Sequence, residues 1–250
     1  DWHTCLLIEC GAIGRMWRRS MADPVIIGNA TLYLGDAASL IQEGIGGYAG
    51  LLTDPPFGID YKSGHATDRL WAGGRSIASD GDTATRDSVL LSNAARVAAP
   101  ALVFGSWKAP RPIGTKMVLT WDKGPALGMG DLSLPWKPST EEIYVIGKGF
   151  VGGRDKGSVI YHPPVQSMAK NGRQHPNEKP VGLLRILLQS LPAGTIFDPF
   201  MGSGSTGVAC AQEGRPFIGI EINPTYFQIA CKRIEDAQRQ GDFFINGEAA

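Results

Sequence analysis

Asp198-Pro199-Phe200-Met201-Gly202-Ser203-Gly204-Ser205-Thr206, preceded by the apolar run Thr195-Ile196-Phe197, is the stretch on which the fold turns. With Gly207 it satisfies GxGxxG between an expected strand and an expected helix, Thr206 to Gln212. The strand expected next, Phe217 to Ile220, ends in the acid Glu221. Glycines let a backbone approach a ligand, a helix amino terminus offers free N–H groups, and an acid after the second strand suits two ribose hydroxyls. A nicotinamide dehydrogenase shares this grammar, and glycine-rich turns also occur purely for packing. No GxxxxGK[ST] is present, so a P-loop is excluded.

Two features argue against a dinucleotide. About thirty residues follow Glu221, too few for the rest of that fold, so the other strands must come from upstream. Asp198, just ahead of the turn, would repel a pyrophosphate but suits a cationic amino-acid group. An S-adenosylmethionine site accounts for both.

A second motif, Asp54-Pro55-Pro56-Phe57, follows another expected buried strand, Leu51-Leu52-Thr53. Open α/β sheets place ligands at the carboxyl ends of their strands, where both motifs would then lie. Two prolines remove two N–H donors and leave carbonyls as acceptors. The Asp54 carboxylate and the Pro55 carbonyl can together accept both protons of an exocyclic amine and turn its lone pair toward an electrophilic methyl group. Phe57 offers a face on which an extruded base can stack. A lone Asp-Pro-Pro-Phe is as often a plain proline turn; its pairing with the glycine turn gives it meaning.

The chain's 250 residues, 43% of them hydrophobic, suit one sizeable core and a single α/β domain over 21–250. Lys+Arg and Asp+Glu balance at 24 each, so any nucleic-acid surface must be local. Cys5, Cys10, Cys210 and Cys231 form no CxxC pair or His cluster, so no metal site or disulfide framework is indicated, and a reducing cytosol fits. No stretch is long and apolar enough to suggest a membrane span. Residues 1–20 lack periodicity, and Met21 opens the clean αβ pattern; the expectation is a natural start at Met21 and an upstream or disordered extension before it.

Between the motifs, Thr31 to Leu34 reads as a strand ending at Gly35-Asp36, and Ala37 to Gln42 as a helix. Residues 58–85 lose all periodicity and are expected to form a mobile loop. Asp87 to Ala98 follows as a helix, then strands at Ala101 to Phe104, Met117 to Trp121 and Glu142 to Ile146. Lys148, Arg154, Lys156, Lys170 and Arg173 make 148–173 the most basic stretch, either a solvated loop or a phosphate-contacting insert. Helices over Val181 to Leu191 and Pro224 to Gln240 complete the pattern.

The chain resembles the permuted, β-class DNA amino-methyltransferases, in which the catalytic motif precedes the cofactor motif, from about Leu32 to Ile234. Gly35-Asp36 matches the family's acidic motif, which lies beside the cofactor adenine. Asp54 to Phe57 matches the catalytic motif, and His175-Pro176-Asn177-Glu178-Lys179-Pro180 resembles HPxEKP, which helps close the methionine end of the site. Asp198 to Gly204 is similar to the FxGxG turn with its leading acid, and Ile220-Glu221-Ile222-Asn223 to the ribose-binding acid and its neighbours. The resemblance implies a Rossmann-like S-adenosylmethionine-dependent methyltransferase fold, α/β, with a mostly parallel seven-stranded sheet and helices on both faces. It places the Thr195 and Leu51 strands side by side. The implied catalytic residues are Asp54, Pro55, Pro56 and Phe57. The implied cofactor-binding residues are Asp36, His175, Lys179, Pro180, Asp198, Phe200, Gly202, Ser203, Gly204, Thr206, Glu221 and Asn223.

The implied activity is site-specific methylation of adenine N6 in double-stranded DNA, within the restriction–modification class. Location would be cytoplasmic, in a prokaryotic or phage-infected cell, with a homodimer as a family expectation and no metal. Only about 149–174 is available for target recognition, which favours a short site or help from a partner. Phe57 stands where Tyr is commoner. Asp rather than Ser at the head of the proline motif favours adenine over the cytosine amine. Methylation at cytosine carbon is disfavoured, since no Pro-Cys occurs. RNA or protein amines, and an inactive DNA-binding relative, are the remaining alternatives.

Overall fold

Leu51 and Leu52 are adjacent, fully buried and directed to opposite faces of one sheet, so the strand that carries them is covered on both sides. A computed structural model describes residues 23–56, 83–125, 133–165 and 178–246, without the side chains of 241–246. The order is β1 (Val25–Ile27), β2 (Ala30–Leu34), α1 (Ala37–Gln42), β3 (Gly50–Thr53), α2 (Ala84–Arg96), β4 (Ala101–Gly105), β5 (Thr115–Asp122), β6 (Thr140–Ile146), β7 (Val159–Tyr161), α3 (Val181–Leu188), β8 (Ile196–Asp198), α4 (Ser205–Gln212), β9 (Phe217–Glu221) and α5 (Pro224–Asn246).

Among the described residues one nine-stranded sheet runs β1-β2-β9-β8-β3-β4-β6-β5-β7. β2, β9, β8, β3 and β4 are parallel neighbours, β6 is antiparallel to both β4 and β5, and β7 is parallel to β5. The expected seven strands are all present, and the pairing of Leu51 with Phe197 confirms that the two motif-bearing strands are neighbours. β1 and β7 are additions at the two edges. Each is three residues long and mostly exposed, so neither carries the apolar alternation that marks a strand in sequence. β7 falls in the stretch expected as a recognition insert; Trp121 Nε1 donates to the His162 carbonyl at 2.6 Å just beyond it.

Alternation divides the core. Leu52, Leu102, Phe104, Ile143, Ile196 and Phe217 face α3, α4 and α5, whose Leu184, Leu187, Ala209 and Ile234 cover them. Leu51, Ala101, Val103, Tyr144, Phe197 and Ile220 face α1 and α2, covered by Leu40, Ile41, Val89 and Leu90. From β3 the chain winds through α2 to β4, and from β8 through α4 to β9 in the opposite direction. The sheet therefore switches its winding between β8 and β3, and a crevice opens outside the carboxyl ends of those two strands.

Gly207 sets how closely α4 approaches α5. A Cβ there would lie 2.4 Å from Ile234 Cδ1 and 2.8 Å from Phe217 Cε1. Overpacking of this kind costs roughly 1–3 kcal/mol, against about 1 kcal/mol that alanine gains in helix propensity. Gly207→Ala should lower stability in urea denaturation by about 1 kcal/mol. Unchanged or raised stability would mean that the two helices have slack at this contact.

Candidate active site

Asp54 directly follows β3 and Asp198 ends β8, so the switch point brings the two motifs to one crevice. Asp198 is 2% exposed, and its carboxylate is held by three donors. Thr53 Oγ1 donates to Oδ1 at 2.7 Å, Thr206 Oγ1 to Oδ2 at 2.6 Å, and the Phe200 N–H to Oδ1 at 3.1 Å. One buried acid thus joins the end of β3, the turn and the first residues of α4.

The glycines of the turn do different work. Gly202 adopts φ +53°, and nothing among the described residues lies within 4 Å of where its Cβ would stand, so the crevice reaches the backbone there. Gly204 adopts φ +83° and faces α5, where a Cβ would lie 2.9 Å from the Ala230 Cβ. Among the described residues no side chain caps α4. Glu221, at the end of β9, meets the turn, accepting from the Gly202 N–H at 3.0 Å and from the Asn223 N–H at 2.6 Å. The crevice is lined by Asp54, Phe104, Lys179, Asp198, Phe200 and the 201–206 turn, among others. Its open glycine and excess of carboxylates fit S-adenosylmethionine, whose sulfonium and ammonium groups are cations and whose ribose offers two hydroxyls to Glu221.

Asp54 is the other pole. Its Oδ2 is 2.9 Å from Lys179 Nζ, which also sits 2.6 Å from Glu141 Oε1 and 4.9 Å above the Phe104 ring centre. Asp54 Oδ1 is buried and has no hydrogen-bond partner among the described residues. Burial pushes the Asp54 carboxyl up to about 7, with Lys179 opposing and Glu141 and Asp198 adding to the rise. Burial likewise raises Asp198 to about 6 against its three hydrogen bonds. Glu141 is held below its ordinary value, its burial outweighed by Lys179 and Lys123. The ionised pair in this cluster is therefore Lys179 with Glu141, and Asp54 is the carboxylate that titrates near neutrality.

The other sequence-expected residues are distributed as follows. Lys179 is 6% exposed and points at Asp54, and Pro180 is the extended residue from which α3 starts. Pro55 is buried and Pro56 half-buried. Phe200, Ser203 and Thr206 lie in or beside the turn. Asp36 caps α1, accepting from the Ser39 N–H at 2.9 Å, and stands one residue beyond Gly35, whose N–H donates to the Glu221 carbonyl at 3.0 Å. Asn223 caps α5 through the Thr225 N–H at 2.9 Å, with Pro224 as its first helical residue. Both residues thus have local structural work beside the Glu221 corner. Phe57, His175, residues 1–20, all of 166–174 and most of the expected mobile loop lie outside the described residues.

Several site residues escaped sequence reasoning. Arg233 on α5 donates to the Ser203 carbonyl and Ser203 Oγ, both at 2.8 Å, and to Glu178 Oε1 at 2.5 Å, clamping the turn to the Glu178-Lys179 segment. Its one sequence signal is a lone arginine on the inner face of an amphipathic helix. Glu141 and Lys123 come from the β5–β6 hairpin, and Ile222, half exposed beside Glu221, offers an apolar surface. No cluster able to hold a metal occurs among the described residues, and no described helix is long and apolar enough to cross a membrane.

Raised carboxyls make stability depend on pH with a definite sign. Below about pH 4 Asp54 and Asp198 are protonated folded or unfolded; between there and about 7 the unfolded chain has lost protons that the fold retains. Stability contributed by these groups is therefore lost as pH rises through about 6 and 7. Asp54→Asn should flatten this fall and leave the unliganded protein more stable than wild type at pH 8, by about 2 kcal/mol in urea denaturation. A variant less stable than wild type at pH 8 would show that the ionised Asp54–Lys179 contact outweighs its burial.

Comparison with known proteins follows the same lines. A DNA methylase family model matches residues 61–232. A DNA adenine methyltransferase of Escherichia coli, YhdJ, is 40% identical over 83 residues, 32% of this chain and 28% of that protein. The type II methyltransferase M2.DpnII of Streptococcus pneumoniae is 52% identical over 64 residues, 25% of this chain and 24% of that protein. The chain thus matches only about a quarter of the length of either. In fold it is similar to PvuII DNA methyltransferase, described as cytosine-N4-specific, with TM-score 0.60, 16% identity, and 90% of this chain and 96% of that one covered. The M1.HpyAVI–SAM complex gives TM-score 0.55 and 21% identity over 82% and 99% of the two chains. With the family model spanning more than half of it, this chain belongs to the DNA methylase family.

Proposed function

We propose that this protein transfers a methyl group from S-adenosylmethionine to the N6 amine of adenine in double-stranded DNA, at a specific site. The observation that carries this is the meeting, at the switch point, of an open glycine turn with a carboxylate oxygen that has no hydrogen-bond partner among the described residues, Asp54 Oδ1. A ring amine is a poor nucleophile because its lone pair is delocalised into the base. Asp54 Oδ1 and the Pro55 carbonyl would accept its two protons, favour a more tetrahedral nitrogen and aim the lone pair into the crevice.

When bound, S-adenosylmethionine supplies a methyl group on a positively charged sulfur, an electrophile that needs only an aligned lone pair. The amine that takes the methyl group would have one proton to shed. Asp54, titrating near 7, is matched to receive that proton and release it to solvent. Glu221 and the Gly202 backbone would hold the ribose side, and Asp198 and the Arg233-braced turn the amino-acid end. Phe57 is assigned the stacking of the extruded base, whose removal from the duplex costs a few kcal/mol. Asp at the head of the proline turn favours adenine, in keeping with the adenine activity in the name of the Escherichia coli relative. The basic stretch from Lys148 to Arg173 is assigned to DNA phosphates, within a single domain whose recognition segment is 149–174.

Labelled S-adenosylmethionine, unmethylated genomic DNA and nucleoside mass spectrometry test this directly. N6-methyladenine is the expected product, and Asp54→Ala should lower turnover about 100- to 1000-fold while leaving cofactor affinity within about threefold. N4-methylcytosine would transfer the same chemistry to the other amine. Retained cofactor binding without methyl in DNA would overturn the assignment of substrate.

A further inference from the structure

Four side chains of alternating charge run from β5 to the crevice: Lys123, Glu141, Lys179 and Asp54. Lys123 Nζ lies 2.9 Å from Glu141 Oε2, and Lys179 Nζ lies 2.6 Å from Glu141 Oε1 and 2.9 Å from Asp54 Oδ2. Each ammonium also sits 4.9 Å above an aromatic ring, Trp121 for Lys123 and Phe104 for Lys179. Those rings meet edge-on with centroids 6.4 Å apart, so a packed aromatic pair supports both cations. At the inner end Asp54 Oδ1 has no hydrogen-bond partner among the described residues.

An ammonium committed to Asp54 alone would draw the carboxylate into a full ion pair and make it a weak acceptor. We propose that Glu141, itself held by Lys123, is a positioning residue of the methyl-transfer site: it shares the Lys179 ammonium with Asp54, so that Oδ2 is anchored while Oδ1 stays available to the target amine. This rests on the reading of Asp54 as the amine's acceptor. Among the described residues, the charged groups that act on Asp54 are Lys179, which lowers its titration, and Glu141 and Asp198, which raise it together with burial. Those that act on Glu141 are Lys179 and Lys123. Neutralising Glu141 therefore strengthens the hold of Lys179 on Asp54, whereas neutralising Lys123 leaves Glu141 leaning on Lys179 and weakens that hold.

The test reads Asp54 in the unliganded chain by carbon-13 NMR titration of its carboxyl, assigned with Asp54→Asn, alongside the pH profile of methyl transfer to DNA. Glu141→Gln should move the midpoint about one pH unit down and the acid limb of kcat with it, with cofactor affinity unchanged. Lys123→Met should move both upward. Opposite shifts from two neutralisations cannot come from a loosened fold, and Lys123→Met serves by itself if Glu141→Gln does not fold. Unmoved midpoints in a wild-type enzyme that transfers methyl groups would overturn the inference about Glu141. Shifts as expected in a chain that transfers nothing to DNA would instead overturn the role given to Asp54, and with it any part of Glu141 in methyl transfer.

Discussion

The buried carboxylate of Asp198 ties β3, β8 and the start of α4 into one arrangement. It sits 2% exposed at the end of β8, bound by hydroxyls from Thr53 of β3 and Thr206 of α4. A carboxylate removed from water is costly unless its lone pairs are met, and here they are met by groups from three separate elements. The requirement fixes the relative height of β3 and β8 and the point at which α4 starts. It thereby sets Asp54, one residue beyond Thr53, against the glycine turn. Two distant motifs become one site through a single buried acid.

The same burial governs the chemistry. The crevice gathers more carboxylates than cations, and desolvation pushes Asp54 and Asp198 toward neutrality in the unliganded chain. On the proposed function, a cationic methyl donor seated beside the open glycine turn would relieve that imbalance, chiefly at Asp198.

Much of this was legible in sequence because the physics is local. Leu51-Leu52-Thr53 and Thr195-Ile196-Phe197 read as doubly buried strands, the glycine turn by its spacing, and the helices by their apolar periodicity; the sheet adds Gly50 to one strand and Asp198 to the other. Pairing of those two strands was implied by the family resemblance and holds in the sheet. What escaped was either too short or too remote. β1 and β7 bury too little to leave a pattern, existing only because a neighbour's edge needs a partner. Glu141 lies 87 positions after Asp54, and Arg233 lies 30 after Ser203; nothing near Glu141 distinguishes it from a surface charge, and the position of Arg233 on the inner face of its helix does not name the partners it reaches. Asp36 and Asn223 matched motifs by position, yet their side chains also cap helices, a demand that any sequence with those turns would share.

A crystal structure of the protein with S-adenosylmethionine would decide the matter. The expected arrangement has the amino-acid end beside Asp198 and the Arg233-braced turn, the ribose hydroxyls on Glu221 beside the Gly202 backbone, and the methyl group directed toward the Asp54 carboxylate. A cofactor seated elsewhere, or bound in this crevice with its methyl group turned away from Asp54, would contradict it.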